Sequence, residues 1–188
     1  MTKGRLEAFS DGVLAIIITI MVLELKPPHG ATLDAVAERC PAFIAYVVSF
    51  IYVGIYWNNH HHLMHTVERV NGRIMWANLH LLFWLSLLPV LTGWVGEHHE
   101  STWPAALYGV GLLSSAVAWL ILQSQIVRAG GTLGQALGSD LKGKLSPVCY
   151  VAGIALAFVR PWAAELVYAL VALIWVVPDR RIERLEPR

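Results

Sequence analysis

Charge is scarce in this chain. Only 14% of its 188 residues are Asp, Glu, Lys or Arg, against about a quarter in soluble globular domains. That shortfall argues against a water-soluble fold. The formal net charge is only +1, and nucleic acid, whose phosphates demand clustered cations, is an unlikely partner class. Two cysteines, Cys40 and Cys149, cannot build a disulfide framework or a thiolate metal site. No nucleophile with a facing base is evident, nor paired aspartates at helical spacing, so an enzyme is not expected. Low-complexity tracts, internal repeats and a soluble domain are absent as well. So are a Thr-Val-Gly-Tyr-Gly loop and an arginine-rich voltage-sensing helix.

What the chain has in place of charge is apolar length, with 56% of its residues hydrophobic. A bilayer core asks for about 20 mostly apolar residues per helix. Six spans fit, at about 5–25, 41–59, 74–95, 104–127, 145–160 and 162–178, forming one all-α membrane domain over 1–188. Pro27-Pro28, His29-Gly30, Cys40-Pro41, Glu97-His98-His99-Glu100 and the glycines at 130, 131, 134 and 138 punctuate the connections. A tight hairpin at Arg160-Pro161 separates the last two spans. Lys3 and Arg5 ahead of an apolar run imitate a signal peptide, but Asp11 interrupts the run and no small-residue cleavage site follows.

Lysine and arginine set the orientation. Eleven (Lys3, Arg5, Arg69, Arg73, Arg128, Lys142, Lys144, Arg180, Arg181, Arg184 and Arg188) fall on one side, and three (Lys26, Arg39 and Arg160) on the other. Both termini are therefore expected in the cytoplasm, with the charged tail fixing topology against anionic lipid.

The first span carries Ser10-Asp11-Gly12 within its early turns. A charge there costs about 2.5–3.5 kcal/mol on insertion scales, so the acid has a structural or functional reason to be present. At 100° per residue, Arg5, Phe9, Gly12, Ile16, Thr19, Ile20 and Leu23 fall within about 100° of one another, while Ser10 and Asp11 project elsewhere. The stripe is either a lipid-facing or packing face, or a pore wall that gates by dewetting. Periodicity alone does not choose, because nearly every face of a membrane helix is apolar. The polar flank has candidate partners at its own depth, namely Trp57 and His60 on the second span and Asn78 on the third.

These residues also carry a family likeness. Arg5, followed by Phe9-Ser10-Asp11-Gly12 on a first membrane helix, resembles the signature of the transmembrane protein 175 family, potassium channels of endolysosomes with prokaryotic relatives. Trp57 and His60, Asn78, and Leu87-Leu88-Pro89 extend the resemblance over residues 5–93. It implies six membrane helices per repeat and, for a single-repeat chain, a homotetramer whose first helices line a central pore. By position it implies a hydrophobic constriction at Ile16, Ile20 and Leu23, with Thr19 as a polar layer. Arg5, Phe9, Ser10 and Asp11, with Trp57, His60 and Asn78, are implied to form the structural network that holds the pore helix. The implied function is a potassium-selective channel of the cell membrane, with potassium as permeant ion, no cofactor, and further copies of the chain and lipid as partners. Lacking a carbonyl filter loop, such a pore has only its width, Thr19 and backbone atoms to discriminate with, which suggests modest preference over sodium and leak-like gating.

The competing reading is a secondary transporter or divalent metal carrier using His60, His61, His62 and His65. The run sits at a membrane edge without a carboxylate–histidine pattern on a facing helix, and a bound metal is not expected.

Overall fold

A membrane span must satisfy every backbone polar group internally, and a helix does so within one segment. The computed structural model describes residues 2–130 and 141–176, and their regular structure is entirely helical. The helices are α1 (Lys3–Leu23), α2 (Leu33–Ala37), α3 (Cys40–His65), α4 (Gly72–Ser86), α5 (Leu88–Glu97), α6 (Thr102–Arg128), α7 (Leu141–Ala157) and α8 (Pro161–Val176). Four stretches, 3–23, 33–65, 72–97 and 102–128, are long and apolar enough to cross a bilayer, and 143–157 and 161–176 are shorter apolar helices. Together they make the six-pass, all-α architecture.

Local chemistry sets most boundaries. The Thr32 hydroxyl accepts the Ala35 amide proton at 3.3 Å and caps α2, a short helix in the first connection that hydropathy did not anticipate. Pro41 occupies the first turn of α3, where a missing N–H costs nothing. Asn71 caps α4 by accepting from the Ile74 amide at 3.0 Å. Gly130, at φ +87°, follows the end of α6 in the left-handed region that glycine tolerates best.

Two boundaries differ from expectation. The second span was expected to end at 59, but α3 continues to His65. Its extra turns are polar, and helical hydrogen bonding continues where apolar composition stops. The third span, expected unbroken over 74–95, divides at Leu87. Pro89 has no N–H for the Leu85 carbonyl, so the regular ladder cannot run through. The 131–140 connection, residues 177–178 of the expected sixth span and the basic tail lie outside the described residues.

Packing follows two groups. Helix α1 rests on α3, α4 and α5, while α6 lies against α4, α5, α7 and α8, with α7 and α8 paired as a hairpin. Tyr168 of α8 is fully buried at the centre of the second group. Its hydroxyl donates to the Ala105 carbonyl at 3.3 Å, and its own carbonyl accepts from the Tyr52 hydroxyl at 2.5 Å. Gly109 and Gly153 leave room for its ring, since a Cβ at either would collide with it.

Candidate functional site

Helix α1 has two faces of similar apolarity and opposite placement. Leu6, Ser10, Leu14, Ile17 and Met21, spaced three and four apart, are buried against the rest of the protomer. Phe9, Ile16, Ile20 and Leu23 are 49%, 58%, 42% and 78% exposed. Arg5, Gly12 and Thr19 are exposed as well. The whole stripe picked out by the helical wheel therefore points away from its own bundle.

One polar chain runs inward from the buried face. The Ser10 hydroxyl donates to the Leu6 carbonyl at 2.9 Å, leaving its oxygen to accept from Asn78 Nδ2 at 2.9 Å. Asn78 Oδ1 then accepts from His60 Nε2 at 2.7 Å, which places the imidazole proton on Nε2. All three side chains are buried. They join α1, α4 and α3, and Ser10 Oγ, both polar atoms of the Asn78 amide and His60 Nε2 find partners where lipid could offer none.

The other residues named with this network sit apart from it. Asp11 is half-buried and accepts from the exposed Trp57 indole at 3.2 Å, an outer contact between α1 and α3. Arg5 and Phe9 are exposed, and Arg5 makes no hydrogen bond or ion pair among the described residues. Lys3 ties the start of α1 to the end of α3 by donating to the His65 carbonyl at 3.1 Å. At the opposite end Lys26 pairs with Glu97 at 2.5 Å, joining the segment after α1 to the end of α5.

Thr19, within the exposed stripe, donates its hydroxyl proton to the Ile16 carbonyl at 2.9 Å. Its oxygen therefore faces outward as an acceptor only.

The histidine run does not converge. His60 turns inward to Asn78, while His61 and His65 meet on the exposed side with ring nitrogens 3.2 Å apart. Among the described residues no three His, Cys, Asp or Glu side chains are arranged to hold a metal ion.

Sequence reasoning missed a second buried polar chain. Thr92 donates to Ser49 at 2.6 Å, and Ser49 bonds the Tyr108 hydroxyl at 2.8 Å, linking α5, α3 and α6. Its only signal was three hydroxyl residues inside apolar spans, and such groups in lipid pair across helices.

Comparison with known proteins places this geometry. Residues 5–89 match the family described as Endosomal/lysosomal potassium channel TMEM175. A protein of Chryseobacterium sp. (strain P1-3) named a potassium channel is 58% identical, the alignment covering 98% of this chain and 97% of that relative. Another so named, from Streptomyces collinus, is 32% identical over 91% of this chain and 90% of its own length. The crystal structure of a lysosomal potassium-selective channel TMEM175 homolog from Chamaesiphon minutus superposes with a TM-score of 0.83 at 26% identity, covering 95% of this chain and 97% of that one.

Proposed function

The chain belongs to the TMEM175 family, and on that premise we propose that it is a potassium channel working as a homotetramer with α1 at the central axis. The exposed stripe of α1 carries this reading. Ile16, Ile20 and Leu23 stand outside their own bundle on the helix that the buried Ser10–Asn78–His60 chain holds in fixed rotation. Four copies around an axis bring the stripe together, and cyclic symmetry gives each copy the same environment.

Aliphatic side chains meeting on that axis form a constriction that resists wetting, and ion flow depends on whether water enters. Thr19 supplies the polar layer beside it. With its proton committed to Ile16, its oxygen offers lone pairs to a cation in transit. Four hydroxyl oxygens and a narrow apolar waist favour the less strongly hydrated potassium ion, with modest preference over sodium and leak-like conduction. The Ser10–Asn78–His60 chain and the Asp11–Trp57 contact act on depth and rotation of α1 rather than on the ion. The channel resides in the cell membrane with both termini cytoplasmic, a placement supported by the eleven-to-three distribution of Lys and Arg.

The test is flux in liposomes containing the purified protein under a potassium gradient, repeated with sodium, alongside mass measurement in nanodiscs. Four copies per particle with potassium flux exceeding sodium flux is the expected result. A monomer, or no cation flux from assembled protein, overturns the reading.

A further inference from the structure

A cavity of about 440 Å³ lies on the outer surface of the bundle, away from α1. One wall is a stripe of α3, Pro41, Ile44, Ala45 and Val48, and the other is α8, with Trp162, Leu166 and Ala169. Ile44, Trp162 and Leu166 are 61%, 64% and 53% exposed, so the cavity opens to the outside of the bundle. Within this apolar lining stands one carboxylate, Glu165, one turn into α8 from the Arg160–Pro161 hairpin.

Glu165 Oε1 is buried and has no hydrogen-bond partner among the described residues. The two hydroxyls that share its cavity are engaged elsewhere. The Tyr108 hydroxyl bonds Ser49, and the Tyr168 hydroxyl donates to the Ala105 carbonyl. His99, on the loop between α5 and α6, is exposed and makes no ion pair with it. An acid left without a donor in an apolar membrane setting is costly, and such residues mark sites of function by default.

The shape and charge of the cavity define what completes it. Its volume is that of a small-molecule site, and its lining supplies apolar walls with one orienting charge. Glu165 lies about 6 Å from the start of α8, close to headgroup depth. The α3 stripe from Pro41 to Val48 continues about 10 Å along the helix axis. We propose that this groove binds a single-chain aliphatic amine, its ammonium donating to Glu165 and its chain lying along the α3–α8 stripe. An ammonium supplies the donor that Glu165 Oε1 lacks, which ionised carboxylate and phosphodiester groups, being acceptors only, do not.

Trp162 lines the groove and reports on it directly. The probes are 5-doxyl-undecylamine, whose nitroxide sits close behind the ammonium and quenches indole fluorescence, and 5-doxyl-undecanol, of equal length without the charge. Each is titrated into phosphatidylcholine liposomes carrying the full-length protein. Subtracting W162F isolates the Trp162 signal from the other indoles. The amine is expected to quench Trp162 at about tenfold lower mole fraction than the alcohol, a preference worth about 1.4 kcal/mol. E165Q abolishes that preference while leaving the alcohol curve in place. Equal quenching by both probes in the wild-type protein overturns the proposal without recourse to any Glu165 variant. A preference that survives E165Q overturns it too. If Trp162 is shielded from both probes, a second copy of the chain covers the groove and the amine site does not exist.

Discussion

Ile16 and Ile17 are adjacent on α1, chemically identical, and placed oppositely. Ile16 is 58% exposed and Ile17 is 3% exposed. The same division runs the length of the helix, with Leu6, Ser10, Leu14, Ile17 and Met21 inside and Phe9, Ile16, Thr19, Ile20 and Leu23 outside. Apolarity does not separate the two faces. What differs is one polar contact: Ser10, its proton spent on the Leu6 carbonyl, lies on the inner face and accepts from buried Asn78, which has His60 on its other side. In a membrane, where the hydrophobic effect gives helices no preferred rotation, a small polar chain takes over that task.

The largest effect is expected on the inner face of α1. Ile17→Ala removes atoms from a packed site and leaves a cavity, with an expected loss of about 2–5 kcal/mol on the scale of water-soluble cores. The readout is the yield of assembled particles after extraction, and Ile16→Ala in the same experiment is expected to assemble normally. Equal damage from both would erase the distinction between the faces.

Asn78→Ala is next. It leaves Ser10 Oγ and His60 Nε2 buried without their partner, at about 1–3 kcal/mol for each orphaned group. Reduced thermal stability of the detergent-solubilised protein is expected, with His60→Ala acting in the same direction. Undiminished stability in Asn78→Ala would mean that the buried chain does not hold α1.

Asp11→Ala is expected to be milder, because the acid is half-buried and its one hydrogen bond, to Trp57, lies at an exposed edge. A loss of about 0.5–1.5 kcal/mol is the scale for a single such bond. Comparing its melting temperature with that of Asn78→Ala checks the order. If Asp11→Ala proves the more damaging, the outer contact and not the buried chain positions the helix.

The smallest effect is expected at the far end. Lys26 and Glu97 are 60% and 34% exposed, and such pairs contribute ~1 kcal/mol at most and are screened by salt. Lys26→Ala is expected to shift the melting temperature slightly at low salt and not at high salt. A large, salt-independent shift would assign the pair a structural weight that its exposure does not suggest.

The residues show how far the chain can be read without coordinates. Hydropathy located the spans because backbone hydrogen bonding leaves the helix as the only open form for a long apolar run. Depth alone offered Trp57, His60 and Asn78 as partners for Ser10 and Asp11, since polar groups in lipid find the partners available at their own level; it did not say which pairs with which. The helical wheel grouped Ile16 with Ile20 and Leu23 and apart from Ile17, but which way that stripe turns was not legible, because both faces of α1 are apolar and only the folded neighbours distinguish them. The continuation of α3 to His65 was hidden because apolarity marks where lipid ends, not where a helix ends. Ser49, Thr92 and Tyr108 were individually unremarked, for nothing local links positions on three different helices. Pro89 was visible, yet its break at Leu87 emerges only when the Leu85 carbonyl is followed to the N–H that proline lacks.

On the proposed function, the outer face of α1 lines the conduction path. The most direct test is Ile16→Asn in protein first shown to assemble as wild type, with potassium and sodium flux measured in liposomes. A polar side chain wets a constriction even without widening it. Increased potassium flux with a weakened preference over sodium is the expected result. Unchanged or reduced flux from properly assembled protein would contradict it and return the stripe to lipid.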